Sequence, residues 1–384
     1  MTSRVYFLDN LRTFLIFLVI VYHAGFVFQN SMAGNWIVVD SAKADWLGLV
    51  GLYLDLFVMF ILFFISGYFA PVSLQKKGSG GFLISKLKRI MLPWAIAVLT
   101  LIPAYKAIFL YSRGLPQEAW YSYFHFYQRA GADPGFFAND PSQHWLWFLP
   151  VLFLFQVLYV VLAKLKLLSF DLSMRTGVLL TFVVGLGYGM LISTLKLSGW
   201  SLTALLDFQR ERLLTYFLVF LLGSLSYKHQ VFQTRPGFGK LFIGANVGLT
   251  IGLGVYTAVA LNLFFNLIEP GRNYFFVSQT VDRLAYHASM LLSMLSFLYI
   301  FLHGFQRSLD RRSPLWDRLN ANSYYVYVIH MVVLGVVALA LVNLPWPVFL
   351  KYLLLGILTF VLCNLLISAQ RSIFQKIFPA GPRE

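Results

Sequence analysis

The stretch LRTFLIFLVIVYHAGFVFQ, residues 11–29, decides the fold. It is almost entirely apolar and long enough to cross a hydrocarbon core near 30 Å as one helix, yet it carries Arg12 and His23. Ionisable groups at membrane depth are costly, so an intramembrane histidine points to a functional site. Eleven residues separate the two, close to three turns at 3.6 residues per turn. The guanidinium and the imidazole therefore share one helix face, roughly 16 Å apart along the axis. One extended ligand can meet both.

The rest of the chain has the same character. Of 384 residues 59% are hydrophobic and 12% charged, and the mean hydropathy is +0.72, far outside the soluble globular norm. Ten spans are predicted, at about 11–29, 46–73, 90–111, 144–163, 176–195, 213–227, 241–263, 284–303, 323–342 and 348–369. Their Leu, Phe and Val runs lack the strict alternation of barrel strands, which predicts helices. No 20-to-50-residue period and no long polar linker is visible, so residues 1–384 read as a single membrane domain. The expectation is an all-α polytopic transmembrane helical bundle.

Ten spans put both termini on one side. Placing that side in the cytoplasm assigns 19 of the 30 lysines and arginines to inner segments, as the retention of basic loops requires. Both termini are therefore expected to be cytoplasmic. The net charge of +15 then lies along the inner boundary, where it meets anionic lipid headgroups rather than nucleic acid. Such a face also attracts a polyanionic cytoplasmic cosubstrate. The single cysteine, Cys363, excludes a disulfide framework and a thiolate metal cluster. Asp9 and Arg12 lead into a span with no convincing cleavage site, so the first helix reads as uncleaved.

Asp9 stands three residues before Arg12, where a carboxylate can cap free N–H groups and brace the guanidinium. Imidazole titrates near neutrality, so His23 can take a proton from an attacking hydroxyl, and it can also act as a nucleophile. The bland reading of His23 is a neutral ring bonded to a neighbouring helix.

YFLDNLR, residues 6–12, followed by ten residues and His23, resembles the opening of the acyltransferase 3 family. FFISGYF (63–69), SQHWLWFLPVL (142–152) and NSYYVYVIH (322–330) resemble three later family segments in the same order. The resemblance implies transfer of an acyl group, acetyl or succinyl, from cytoplasmic acyl-CoA to a hydroxyl. The acceptor it implies is a carbohydrate or glycolipid at the outer side of a bacterial cytoplasmic membrane. It puts His23 at the catalytic histidine position, with Arg12 as its partner and Asp9 as the brace. Lys86 and Arg89, three apart, match the family's basic-x-x-Arg motif and are expected to hold the donor phosphates together with Arg12. Lysine at the first position keeps the charge but loses the planar bidentate fork.

Other polar residues have two readings each. His144 lies beside Trp145 and Trp147 at an expected outer interface, as a belt histidine or an acceptor-binding one. His330 is placed about seven residues into span nine, nearer the cytoplasmic half, to meet the donor or bond another helix. Asp55, deep in span two, needs a cation or a proton, as one half of an ion pair or as an acceptor-binding group. Asp282, Arg283 and His287, with Asp207, Arg210, Glu211 and Arg212, are an outer acceptor site or a salt-bridged rim. Lys106 can snorkel outward or grip a donor carboxylate.

Ser66 lacks the strand-to-helix elbow of a serine hydrolase, and its SG pair suits close helix packing. Gly78, Gly80 and Gly81 make no phosphate loop, and no metal motif appears. The rival class is a proton-coupled transporter or flippase with His23 and Asp55 in the pathway. It lacks the inverted repeat and paired broken spans of such proteins. A lipid-binding scaffold would tolerate loss of His23.

Overall fold

A computed structural model describes residues 5–32, 34–117, 123, 143–168, 171–203, 205–234, 237–265 and 274–377. Arg4, Arg235 and Arg383, which count toward the orientation, lie outside the described residues, as do Ser142 and most of the outer loop 112–143. Eleven α-helices are present among the described residues. They are α1 (Tyr6–Gly25), α2 (Leu47–Tyr68), α3 (Ala70–Lys86), α4 (Leu92–Ser112), α5 (Phe148–Lys164) and α6 (Met174–Thr194). There follow α7 (Leu213–Lys228), α8 (Lys240–Phe265), α9 (Gln279–Ser308), α10 (Pro314–Leu341) and α11 (Val348–Ile377). Two short strands, β1 (Trp200–Ser201) and β2 (Phe208–Gln209), pair antiparallel between α6 and α7. The described chain is an all-α polytopic membrane bundle, with nine helical stretches long and apolar enough to cross a membrane. The remaining expected span, the sixth, is α7, which is apolar but only 16 residues long.

Two of the differences from the expected boundaries bear on the site. The segment between spans two and three is helical: α3 breaks only at Gly78 (φ 65°) and passes through a π-helical turn, Leu87–Met91, into α4. Span nine opens at Pro314 rather than near residue 323, with Ser313 accepting from the Trp316 amide at its N-cap.

α1 occupies the centre and packs against α2, α9, α10 and α11. α6 and α8 leave most of their surface outside the bundle. α2 and α7 meet backbone to backbone. A Cβ on Gly67 would lie 1.9 Å from the Phe220 carbonyl oxygen, and one on Gly223 would lie 2.1 Å from that of Phe64. The SG pair in FFISGYF is thus a packing device, as its small residues suggested.

Buried polar contacts pin both ends of α1. At its start Asn10 donates to the carbonyls of Leu309 (2.8 Å) and Arg311 (3.2 Å) and accepts from Asn320 (2.8 Å). Thr13 donates to Asn320 at 2.5 Å. Asp9 does not cap the helix: the N-cap is Val5, with no side-chain cap bond, and Asp310 takes the Phe7 amide at 3.1 Å. Asp9 already sits within the first turn, too far along to serve as a cap.

At the other end of α1 the segment through residue 46 folds back over the bundle. Asp40 and Ala44 donate their amides to the carbonyls of Val27 (2.9 Å) and Phe28 (2.8 Å). Lys351 of α11 pairs with Asp40 at 2.5 Å, both side chains buried. Asn30 donates its backbone and side-chain N–H to Asp45, which holds that carboxyl below its ordinary range.

Candidate active site

α1 brings Asp9, Arg12 and His23 onto one continuous helix. Asp9 pairs with Arg12 at 3.2 Å, one turn away. Both line a cavity of about 1410 Å³ that Lys86, Lys88 and Arg89 also line. The basic motif is carried by the end of α3 and the π turn, a form of helix common at functional sites. Lys86 Nζ lies 5.2 Å over the Phe82 ring. The three cations named for the donor thus converge on one space. The lining also includes Phe148, Leu149, Tyr324 and Tyr327, and the Tyr324 hydroxyl donates to the Ile90 carbonyl of the π turn at 3.3 Å.

Tyr327 connects the cavity to the histidines. Its carbonyl lies 2.6 Å from Nδ1 of His330, three residues on. Nε2 of His330 lies 3.1 Å from Nδ1 of His23, and the ring centroids are 5.0 Å apart. His330 is completely buried, whereas His23 is partly exposed. Neither histidine lines the cavity, so Tyr327 stands between them and it. Tyr327 and His330 are three residues apart on α10, about 4.5 Å of helix rise. The expectation that His330 lies about seven residues into its span is corrected. Because α10 begins at Pro314, His330 is level with His23, deep in its helix.

Two more aromatic groups frame the pair. Trp36 lies parallel to His23, centroids 5.7 Å apart at 11°. Its backbone carbonyl accepts from Arg113 at 2.9 Å, and its buried indole N–H has no hydrogen-bond partner among the described residues. The turn His144–Trp147 docks on α10: Trp145 donates from Nε1 to the Val328 carbonyl at 2.9 Å, and the Tyr327 hydroxyl donates to the Trp145 carbonyl. His144, in left-handed backbone at φ 49°, stacks on Tyr105 at 5.2 Å and contacts Trp145, whose ring meets His330 edge-on. Trp145 thus contacts both His144 and His330.

Asp55 is held elsewhere. Arg212 pairs with it at 2.6 Å and also donates to its backbone carbonyl at 3.1 Å, so its cation comes from another element, although the Asp55 side chain is only half-buried. The other outer polar residues serve loops. Asp282 accepts from the Phe275 and Phe276 amides, and Asp207 from those of Gln143 and Thr203. Glu211 accepts from the Gly199 amide, Arg210 donates to the Trp200 carbonyl, and His287 bonds Ser193 at 2.6 Å. Lys106 is fully buried, 5.7 Å over the Tyr123 ring.

Sequence reasoning missed Trp36, Tyr327 and the Asn10–Asn320 contact. A polar signal existed for the last, in the asparagine of DNLR and another at the start of α10. Trp36 and Tyr327 act through a ring face and a backbone carbonyl, which residue type does not announce.

Acidic and basic groups thus line a cavity of a membrane helical bundle, and Tyr327 of that lining bonds the nearby imidazole pair. The profile described as an acyltransferase domain matches residues 5–368. The chain belongs to this acyltransferase family and is an integral-membrane acyltransferase. It is similar to Glucans biosynthesis protein C of Escherichia coli (strain SMS-3-5 / SECEC) and of Shigella boydii serotype 4 (strain Sb227). Each is 23% identical over 346 residues, which cover 85% of this chain and 81% of the relative. No solved structure matches the chain significantly.

Proposed function

We propose that this protein is an O-acyltransferase of a bacterial cytoplasmic membrane. It moves an acetyl or succinyl group from cytoplasmic acyl-CoA to a hydroxyl of a carbohydrate or glycolipid at the outer side. The observation that carries this is that Arg12, Lys86, Arg89 and Tyr327 line one cavity, and that the Tyr327 carbonyl bonds His330, which in turn bonds His23. The cations suit the donor phosphates, and the cavity leads the thin pantetheine arm toward the imidazoles. The relatives named for glucan biosynthesis support a carbohydrate acceptor.

In this reading the acceptor hydroxyl gives its proton to His23 and its oxygen forms the new C–O bond at the thioester carbonyl. The tetrahedral intermediate then breaks its C–S bond, and the proton passes from His23 to the CoA thiolate. The indole N–H of Trp36, buried beside His23, is a donor of the kind a developing oxyanion needs. A transporter reading draws less support, since Asp55 is already paired with Arg212.

The test is purified protein with radiolabelled acyl-CoA and a glucan acceptor. Acceptor-dependent release of CoA is expected, and His23→Ala should abolish it while leaving membrane insertion intact. Turnover of His23→Ala at the wild-type rate would refute the proposal.

A further inference from the structure

The two ring nitrogens of His330 face different partners. Nδ1 lies 2.6 Å from the Tyr327 carbonyl oxygen and Nε2 lies 3.1 Å from His23 Nδ1. A carbonyl oxygen has no hydrogen to give, so the first contact is a hydrogen bond only when His330 Nδ1 carries the proton. In the neutral ring Nε2 then holds a lone pair and accepts, and the hydrogen it accepts is that of His23 Nδ1. This leaves the lone pair of neutral His23 on its other nitrogen, Nε2.

We infer that the Tyr327 carbonyl and His330 form a positioning relay that fixes His23 as its Nδ1–H tautomer and presents Nε2 as the reacting nitrogen. The inference rests on the acyl-transfer reading above and names which atom of His23 performs it. Acid–base catalysis by histidine requires the correct tautomer, which the bond at the second nitrogen sets. Here a second imidazole, itself set by a backbone carbonyl, does what a carboxylate does in serine hydrolases.

The surroundings reinforce the assignment. Trp145, donating to the Val328 carbonyl, and the Tyr327 hydroxyl, donating to the Trp145 carbonyl, hold this turn of α10 against the His144–Trp147 turn. The Tyr327 carbonyl is therefore fixed in place. Flipping the His330 ring would forfeit its contacts on both sides. Among the described residues no carboxylate acts on either ring.

The experiment uses full-length protein in detergent micelles. His330→Phe removes the acceptor for His23 Nδ1–H and should lower turnover about 100-fold, a typical acid–base contribution, with the KM for acyl-CoA unchanged. His330→Gln, whose side-chain carbonyl can accept the same hydrogen, should recover a large part of the loss. Nitrogen-15 NMR of histidine-labelled protein, assigned with His23→Gln, should show His23 protonated at Nδ1 and bare at Nε2. That pattern should disappear in His330→Phe. Full turnover in His330→Phe, or a wild-type His23 bare at Nδ1, overturns the relay. Should His330→Phe fail to fold, the wild-type spectrum still decides. An inactive His23→Ala beside a fully active His330→Phe removes the relay alone, whereas an active His23→Ala removes the acyl-transfer reading.

Discussion

Lys86 and Arg12 reach the cavity from different helices, so their contributions to donor binding can be separated. Each is proposed to meet phosphate, and a hydrogen bond to a charged group is worth roughly 1.5–3 kcal/mol. Lys86→Ala and Arg12→Ala should therefore each raise the KM for acyl-CoA about tenfold or more, with kcat little changed. Lys86→Arg restores the planar fork and should bind the donor at least as tightly as the wild type. Steady-state kinetics with each variant checks this, and a fall in kcat at constant KM would take these residues out of the donor site. The ionisable members of the site were legible in the sequence, because a charge in an apolar span has a cost that calls for a reason. Trp36 and Tyr327 were not. A tryptophan in an outer segment has the composition of a belt residue, and a carbonyl oxygen belongs to every residue.

At the scale of elements, hydropathy found the spans and misjudged their ends. The first turns of α10 carry Asp317, Arg318, Asn320 and Asn322, which lower the local hydropathy although the helix starts at Pro314. That error in the boundary moved His330 toward the cytoplasm and hid its contact with His23. The polar residues concerned are engaged inside the bundle, Asn320 with Asn10 and Asn322 with Asn364 and Ser368. A window average cannot see such partners. The α2–α7 contact was legible in kind, since a Ser-Gly pair in a membrane helix invites close approach, but its partner was not. Its strictness gives a prediction. Gly67→Ala places a methyl 1.9 Å from the Phe220 carbonyl oxygen, a distance that requires the two helices to part. A loss of about 3 kcal/mol is expected, at the upper end of overpacking costs. Gly187→Ala in α6 meets nothing within 4 Å and should be neutral or slightly stabilising through helix propensity. Thermal unfolding of the two variants in detergent makes the comparison, and equal midpoints would disprove the backbone contact.

Across the whole molecule, function depends on sidedness. The cavity lies beside the cationic turn before α4, whereas the His23–His330 pair lies toward the end of α1 that the Asp40–Lys351 ion pair helps cover. Breaking such a buried pair leaves an uncompensated charge, so it ties residues 311 positions apart in the sequence into one cap. If the basic segments face the cytoplasm, the donor enters from inside and the acceptor meets the opposite end. The buried Cys363 makes this testable, because it is shielded from an impermeant thiol reagent. Gln75 in α3 and Ser198 before β1 are both exposed, and the proposed topology puts them on opposite sides. In intact spheroplasts Ser198→Cys should be labelled and Gln75→Cys protected, and permeabilisation should expose Gln75→Cys. The reverse pattern would turn the cationic cavity toward the exterior, where no acyl-CoA pool exists to fill it, and would remove cytoplasmic acyl-CoA as the donor whatever the chemistry at His23.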